Sequence, residues 1–267
     1  MAITILCAPP RTGKTSFMTK LANDRMFDKP RYRKTLRAVA RKKQGGFKLD
    51  VPHQHCVYAN FEIIGKKWRF TSRQAYDLEP DKLALYDKED PNKDIHFLPP
   101  YSTLFITEGQ DFFDSRNYTK FTRAQSSFFE QHGHNHLDIY IDVQRYDLID
   151  KNIRNLAQII EIQSKETLYN ERRRVVGTKW VIRKFENSYK YDQYLKAQNP
   201  IHNYEEEIIE CNYDIHRLYK SESCEPKFVA PYYIKDYQGN PRNYDCEIVK
   251  MPAQTVEDYE DCLNRKI

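Results

Sequence analysis

The run Ala8-Pro-Pro-Arg-Thr-Gly-Lys-Thr15 constrains the fold of this 267-residue chain more than any other segment, because of what stands on either side of it. Residues 2–7 alternate and are rich in β-branched side chains, the pattern of a short buried strand, and residues 14–25 read as a helix. A loop between such a strand and helix aims successive backbone N–H groups at one point. The helix N-terminus adds a dipole that favours an anion there. The spacing is that of a phosphate-binding loop, with Ala8 where the first glycine is usual. Gly13 lets the backbone approach closely, Lys14 reaches the β- and γ-phosphates, and Thr15 offers its hydroxyl to Mg2+. The expected nucleotide-binding set is therefore Ala8, Pro9, Pro10, Arg11, Thr12, Gly13, Lys14, Thr15 and Ser16, with ATP and Mg2+ as ligands.

Downstream, strand patterns recur at residues 55–60, 102–107, 137–143 and 157–162, with helical patterns at 118–131 and 150–155. Residues 71–100 are charged and interrupted by Pro80, Pro91, Pro99 and Pro100, which suits a short helix and loops. This alternation predicts an α/β fold with a mainly parallel sheet flanked by helices. Residues 175–186 and 189–195 alternate and suggest a β-hairpin near the end of the core. Residues 201–267 carry 14 Asp or Glu against 8 Lys or Arg and look like an irregular extension. The expected division is a P-loop domain over 1–221, with a basic insertion at 28–50, and an acidic extension over 222–267.

A P-loop ATPase places an Asp and a following Glu at the end of a neighbouring strand, the first for the water shell of Mg2+ and the second for the attacking water. Here that strand ends Leu104-Phe-Ile-Thr-Glu-Gly-Gln110. Glu108 is placed as the catalytic carboxylate. Thr107 stands where the Asp is expected; its hydroxyl can hydrogen-bond a metal-bound water but brings no charge. Asp111 or Asp114 could then assist. Gln144 ends the apolar strand 137–143 and is placed to sense the γ-phosphate or the water. Arg145 and Arg154 follow, and a guanidinium from either could act as an arginine finger on a neighbouring subunit.

Several segments together resemble the N-terminal domain of the zonula occludens toxin (Zot) family. That family includes the filamentous-phage assembly ATPases and is similar to the FtsK/HerA-type DNA-translocating ATPases. The resemblance rests on the P-loop, Val57-Tyr-Ala-Asn60, Thr107-Glu-Gly-Gln110 (the family's Asp-Glu-Ala-Gln), and residues 132–139 leading into Val143-Gln144. Residues 149–154 and Tyr213-Asp-Ile-His-Arg-Leu-Tyr-Lys-Ser221 follow in the family's order. The resemblance implies a RecA-like ATPase of the additional-strand class, used in assembling and extruding virions that carry single-stranded DNA. It also implies a homo-oligomeric ring, a hexamer, with sites shared between subunits. Many relatives continue into a membrane-spanning helix and an outer domain.

Between Lys29 and Lys48 lie nine Lys or Arg and no acid. Arg37, Arg41, Lys42 and Lys43 are the candidate contacts for nucleic acid, bound through phosphates without sequence preference. Anionic lipid is an alternative occupant, and a solvated surface another. No apolar run reaches the roughly 20 residues of a membrane-spanning helix. The expectation is a protein of the host cytoplasm, peripheral at the inner membrane only through a partner or this basic patch. The six cysteines show no C-x-x-C pair, which argues against zinc and redox frameworks. His132, His134 and His136 alternate, with no further ligands nearby. Two functional alternatives remain beside the motor: a nucleotide-binding assembly or scaffold protein without significant hydrolysis, motivated by Thr107, and a small-molecule P-loop kinase, which the Gln-ended strand fits poorly.

Overall fold

A computed structural model of the chain describes residues 2–44, 54–67, 71–80, 83, 98–116, 123–134, 136–197, 202–219, 229–231, 234–235, 241–242 and 250–252. It divides into two compact units, Met1–Ser221 and Glu222–Ile267.

The first unit is organised by strand β1 (Ile3–Cys7), which is buried along its whole length. Helix α1 (Lys14–Met26) follows the P-loop, and α2 (Lys29–Gln44) follows it after a two-residue gap. Next come β2 (Val57–Ala59), the small antiparallel pair β3 (Ile64–Lys67) and β4 (Thr71–Gln74), and β5 (Tyr76–Asp77). After these stand β6 (Thr103–Ile106), α3 (Gln110–Phe113), α4 (Arg123–Glu130), β7 (Asp138–Val143) and α5 (Lys151–Leu156). The unit closes with β8 (Ala157–Tyr169), β9 (Val175–Phe185), α6 (Ser188–Lys196) and β10 (Glu205–Cys211).

Eight strands form one sheet in the order β10-β9-β8-β1-β7-β6-β2-β5. From β8 to β5 every neighbour is parallel, and β9 and β10 add antiparallel strands at the other edge. Strand β7 stands between the P-loop strand β1 and β6, the strand that ends in Thr107-Glu108. This is the additional-strand arrangement that the family resemblance implies.

Alternation along the central strands sends side chains to two cores. Leu6, Phe105, Ile160 and Trp180 pack on one face against Phe17, Met18, Ala22 and Met26 of α1. Ile5, Ile106, Ile139 and Ile141 pack on the other against Phe113 of α3, Phe129 of α4, Ile153 of α5 and Tyr191 of α6. Helices thus cover both faces, as a parallel sheet with continuous apolar strands requires.

Two expectations are corrected. Residues 71–77 form strands β4 and β5 rather than helix and loops, held by pairing with β3 and β2. Residues 189–195 lie within helix α6, not in a strand. The hairpin partner of β9 is β8, which runs on well past residue 162, and β10 pairs along its other edge. Asn187 caps α6, its side chain accepting from the Lys190 N–H. The basic insertion is helical to Gln44; the rest of it, and residues 118–122 of the expected helix, lie outside the described residues.

Of the second unit, the described parts are two antiparallel ribbons, β11 (Val229–Pro231) with β14 (Lys250–Pro252) and β12 (Ile234–Lys235) with β13 (Pro241–Arg242).

Candidate functional site

The P-loop arches from β1 to α1 with two residues in the left-handed region, Arg11 at φ 66° and Gly13 at φ 89°. Glycine suits that region at no steric cost. At Gly13 the chain also allows a close approach: a Cβ there would lie 2.5 Å from Cδ of Lys165. Pro9 and Pro10 have no N–H, so the loop's donors are the amides from Arg11 onward. Thr12 Oγ1 donates to the Pro9 carbonyl at 2.7 Å, and Ser16 Oγ donates to the Gly13 carbonyl at 2.8 Å.

Lys14 is only 7% exposed. Its ammonium donates to the carbonyls of Ala8 at 2.9 Å and Pro9 at 3.4 Å, beneath the arch. Among the described residues no carboxylate lies within ion-pair distance of it. A buried cation satisfied by carbonyls alone is costly, and an incoming phosphate would neutralise it. That buried ammonium, hydrogen-bonded only to carbonyls among the described residues, is the observation on which a fit to a nucleoside triphosphate rests.

On the far side of β7, Glu108 turns out of β6 with φ 50°, a conformation unusual for a residue with a Cβ. Its N–H donates to Asp142 Oδ1 at 2.8 Å, and the next amide, Gly109 N–H, donates to the Asp142 carbonyl at 2.8 Å. A side chain at Gly109 would collide with Ile141 Cγ2, so the turn sits tight against β7. Oε2 of Glu108 accepts from Nε2 of Gln144 at 3.3 Å and from Nε2 of Gln110. Glu108 and Gln144, picked out separately in the sequence, therefore meet at the ends of adjacent strands.

Thr107 is buried and held by Asn60 at the end of β2. Asn60 Oδ1 accepts from the Thr107 N–H at 2.8 Å and from Thr107 Oγ1 at 3.3 Å, while Asn60 Nδ2 donates to the Thr107 carbonyl at 3.1 Å. Neither arginine-finger candidate is free of intrachain contacts. Arg145 is exposed and forks onto Asp147 at 2.5 Å. The Arg154 guanidinium lies 5.1 Å over the Tyr146 ring, with its buried Nε lacking a hydrogen-bond partner. Asp114 is taken up by Arg116 at 2.7 Å, which holds its carboxyl below the usual range.

Two site residues went unnoticed in the sequence. Asp142 is 1% exposed, and burial pushes its carboxyl up to about 7, with Lys14 acting in the opposite direction. Its signal was a carboxylate within the apolar run 139–143, two residues before Gln144. Lys165 of β8 lays its stem over Gly13, with Nζ 3.2 Å from His216 Nε2; His216 Nδ1 is in turn 3.2 Å from the Tyr219 hydroxyl. Burial lowers the pKa of both Lys165 and His216. His216 and Tyr219 fall in the quoted segment that begins at Tyr213, which the fold brings beside the P-loop.

Of the basic block, Arg33, Lys34, Arg37 and Arg41 lie exposed along α2, while Thr35 and Val39 are buried on its other side. The side chains of Lys42 and Lys43 lie outside the described residues. Arg31 serves the fold instead: it pairs with Asp138 at 2.9 Å and donates to the Tyr101 carbonyl at 2.8 Å. His132 Nδ1 contacts the Phe129 carbonyl at 2.6 Å, and His136 stacks on Tyr101. Among the described residues no three His, Cys, Asp or Glu converge on a metal position. Mg2+ on a P-loop needs no such cluster, since a hydroxyl, phosphate oxygens and water surround it. No described helix is long and apolar enough to cross a membrane.

Residues 57–225 match the family model described as zonular occludens toxin (Zot). The match begins after the P-loop, so the loop stands on its own geometry. Comparison with curated proteins gives no match. Among solved structures, the N-terminal domain of zonular occludens toxin from Neisseria meningitidis is 16% identical, covering 82% of this chain and 98% of that one with a TM-score of 0.45. The genome-packaging NTPase B204 from Sulfolobus turreted icosahedral virus 2, in complex with sulfate, is 10% identical over 78% of this chain and 94% of that one, TM-score 0.35. B204 from Sulfolobus turreted icosahedral virus, described as a DNA-packaging ATPase, is 13% identical over 75% and 98%, TM-score 0.34.

Proposed function

The chain belongs to the zonular occludens toxin (Zot) family, whose model spans more than half of its 267 residues, and from that premise we propose that it is an ATP-driven motor for virion assembly or DNA translocation. The observation that carries the nucleotide part is the buried Lys14 ammonium under the P-loop arch, whose hydrogen bonds among the described residues go to carbonyls. Its partner in binding would be the β- and γ-phosphates, cradled by amides from Arg11 to Ser16. Bound Mg2+ would supply charge neutralisation on those phosphates, with Thr15 as its hydroxyl ligand. Glu108 would orient and deprotonate the attacking water, and Gln144, hydrogen-bonded to Glu108, would report on the γ-phosphate.

Family membership supports a filamentous-phage-like role. The exposed row Arg33, Arg37 and Arg41 on α2 supports contact with single-stranded DNA phosphates. A ring of copies would bring Arg154 or Arg145 to a neighbour's γ-phosphate once released from Tyr146 or Asp147. We place the protein in the host cytoplasm, reaching the inner membrane through a partner or the basic face of α2.

A second reading, a nucleotide-gated assembly protein without turnover, is favoured by the uncharged Thr107. One experiment separates the two: phosphate release from Mg-ATP with and without single-stranded DNA, beside fluorescent-nucleotide binding, for wild type and Lys14→Ala. The motor predicts turnover that rises with DNA and at least a hundredfold loss of turnover in Lys14→Ala. Binding without turnover selects the assembly protein. Equal binding by wild type and Lys14→Ala removes the P-loop from both readings.

A further inference from the structure

Thr107 leaves the expected magnesium site one negative charge short, and a carboxylate lies one strand away. Strand β7 sits between β1 and β6, and Asp142 is in register with Leu6 of β1. On its other side, Ile141 pairs with Ile106, so Asp142 is level with Thr107. Tyr140 and Phe105, two residues earlier on each strand, stack with centroids 5.0 Å apart on the face that α1 covers. By the two-residue period of a strand, Asp142 and Thr107 point to that same face, about 4.8 Å apart from strand to strand. Asp142 is the nearer to the P-loop, and Lys14 is among the charges that act on it.

We propose that Asp142 supplies the carboxylate that Thr107 lacks, binding the water shell of the Mg2+ that accompanies nucleotide at Thr15. This rests on the nucleotide reading above. The fit lies in the donor chemistry: a carboxylate 1% exposed, with no described basic partner in ion-pair contact, held on one oxygen by the Glu108 N–H. Burying such a group is costly unless a cation or strong donors meet it. Its hydrogen bond to Glu108 also offers a purely positional role, and Asp142→Asn separates the two. The amide oxygen still accepts from Glu108 N–H, but the charge is gone.

The test uses the full chain, with Mn2+ as the ion and ATPγS as the nucleotide, and reads bound Mn2+ by electron paramagnetic resonance. Binding of mant-ATP in EDTA is measured in parallel. Asp142→Asn is expected to weaken Mn2+ binding at least tenfold while mant-ATP binding in EDTA stays within about twofold, and Thr107→Asp added to it is expected to restore the ion. Should Asp142→Asn not give the wild-type circular dichroism spectrum, Asp142→Thr with and without Thr107→Asp reads the same exchange. Mn2+ affinity unchanged within twofold in the charge-removed variant overturns the proposal, as does a double variant no better than the single. Wild type that binds no mant-ATP in either condition overturns the nucleotide reading itself, and this inference with it.

Discussion

His55 shows how completely a single side chain can be fixed by its neighbours. Its Nδ1 accepts from the Val57 N–H at 3.1 Å, so Nε2 carries the proton and donates it to the Gln74 carbonyl at 2.9 Å. Protonating Nδ1 would break the first bond inside the protein, and burial pushes the imidazole down to about 4. In the unfolded chain the ring titrates near 6.5. Between those values the unfolded state binds more protons, so the contribution of His55 to stability is whole above pH 6.5 and declines as pH falls towards 4. Urea unfolding between pH 7.5 and 4.5 should show midpoints falling on the acid side, with a shallower fall in His55→Gln. Parallel curves for the two proteins would contradict this. The same residue scale separates what the sequence told from what it did not. Gln144 stands out because it ends an apolar run, whereas Asp142 sits inside that run and gives no signal by pattern. Only the register of three parallel strands puts Asp142 opposite Leu6 and one residue past the Ile106–Ile141 pair, as Thr107 is on β6.

Among the elements, α1 and β9 illustrate packing at long range. Phe17 of the P-loop helix meets Trp180 edge to face at 5.6 Å, and neither is exposed. Because the last of the P-loop amides, Lys14 to Ser16, lie in the first turn of α1, this contact also bears on where they point. Trp180→Ala should cost about 3–5 kcal/mol in urea unfolding, and a loss under about 1 kcal/mol would mean the core closes over the gap. The central strands and α1 were legible because each has a simple period and a turn at its end. Helix α6 was not. Tyr189 and Tyr191 imitate strand alternation, yet Tyr191 and Tyr194 share a helical face against Phe185. The signal that could have found it is Asn187, a capping residue just ahead of the run. The length of β8 was hidden for another reason. Past Gln163 its partner among the described residues is β9, and Ser164, Glu166 and Tyr169 are exposed, so the stretch carries no core pattern. The run Arg172-Arg-Arg174 belongs to the turn between them, where Asn170 Oδ1 accepts from the N–H groups of Arg172 and Arg174.

For the molecule as a whole, the distribution of charge matters more than the net value of +5. Arg31 is spent on Asp138 within the fold, while Arg37 and Arg41 stand exposed one helical turn apart. The proposed DNA contact predicts affinity for a single-stranded oligonucleotide that falls with salt. The logarithmic slope should flatten by about 0.7 for each phosphate contact removed. Arg37→Ala with Arg41→Ala should therefore flatten it by about twice that in fluorescence anisotropy, and an unaltered slope would move the contact elsewhere.

The turn that carries Glu108 is fastened at two points to β7, through the carbonyl and the carboxyl of Asp142, and Gln144 grows from that same strand. On the proposed reading, the acid and the glutamine form one wall of the nucleotide site and the P-loop the other. Because one strand anchors both, a substitution that shifts β7 is expected to move both together.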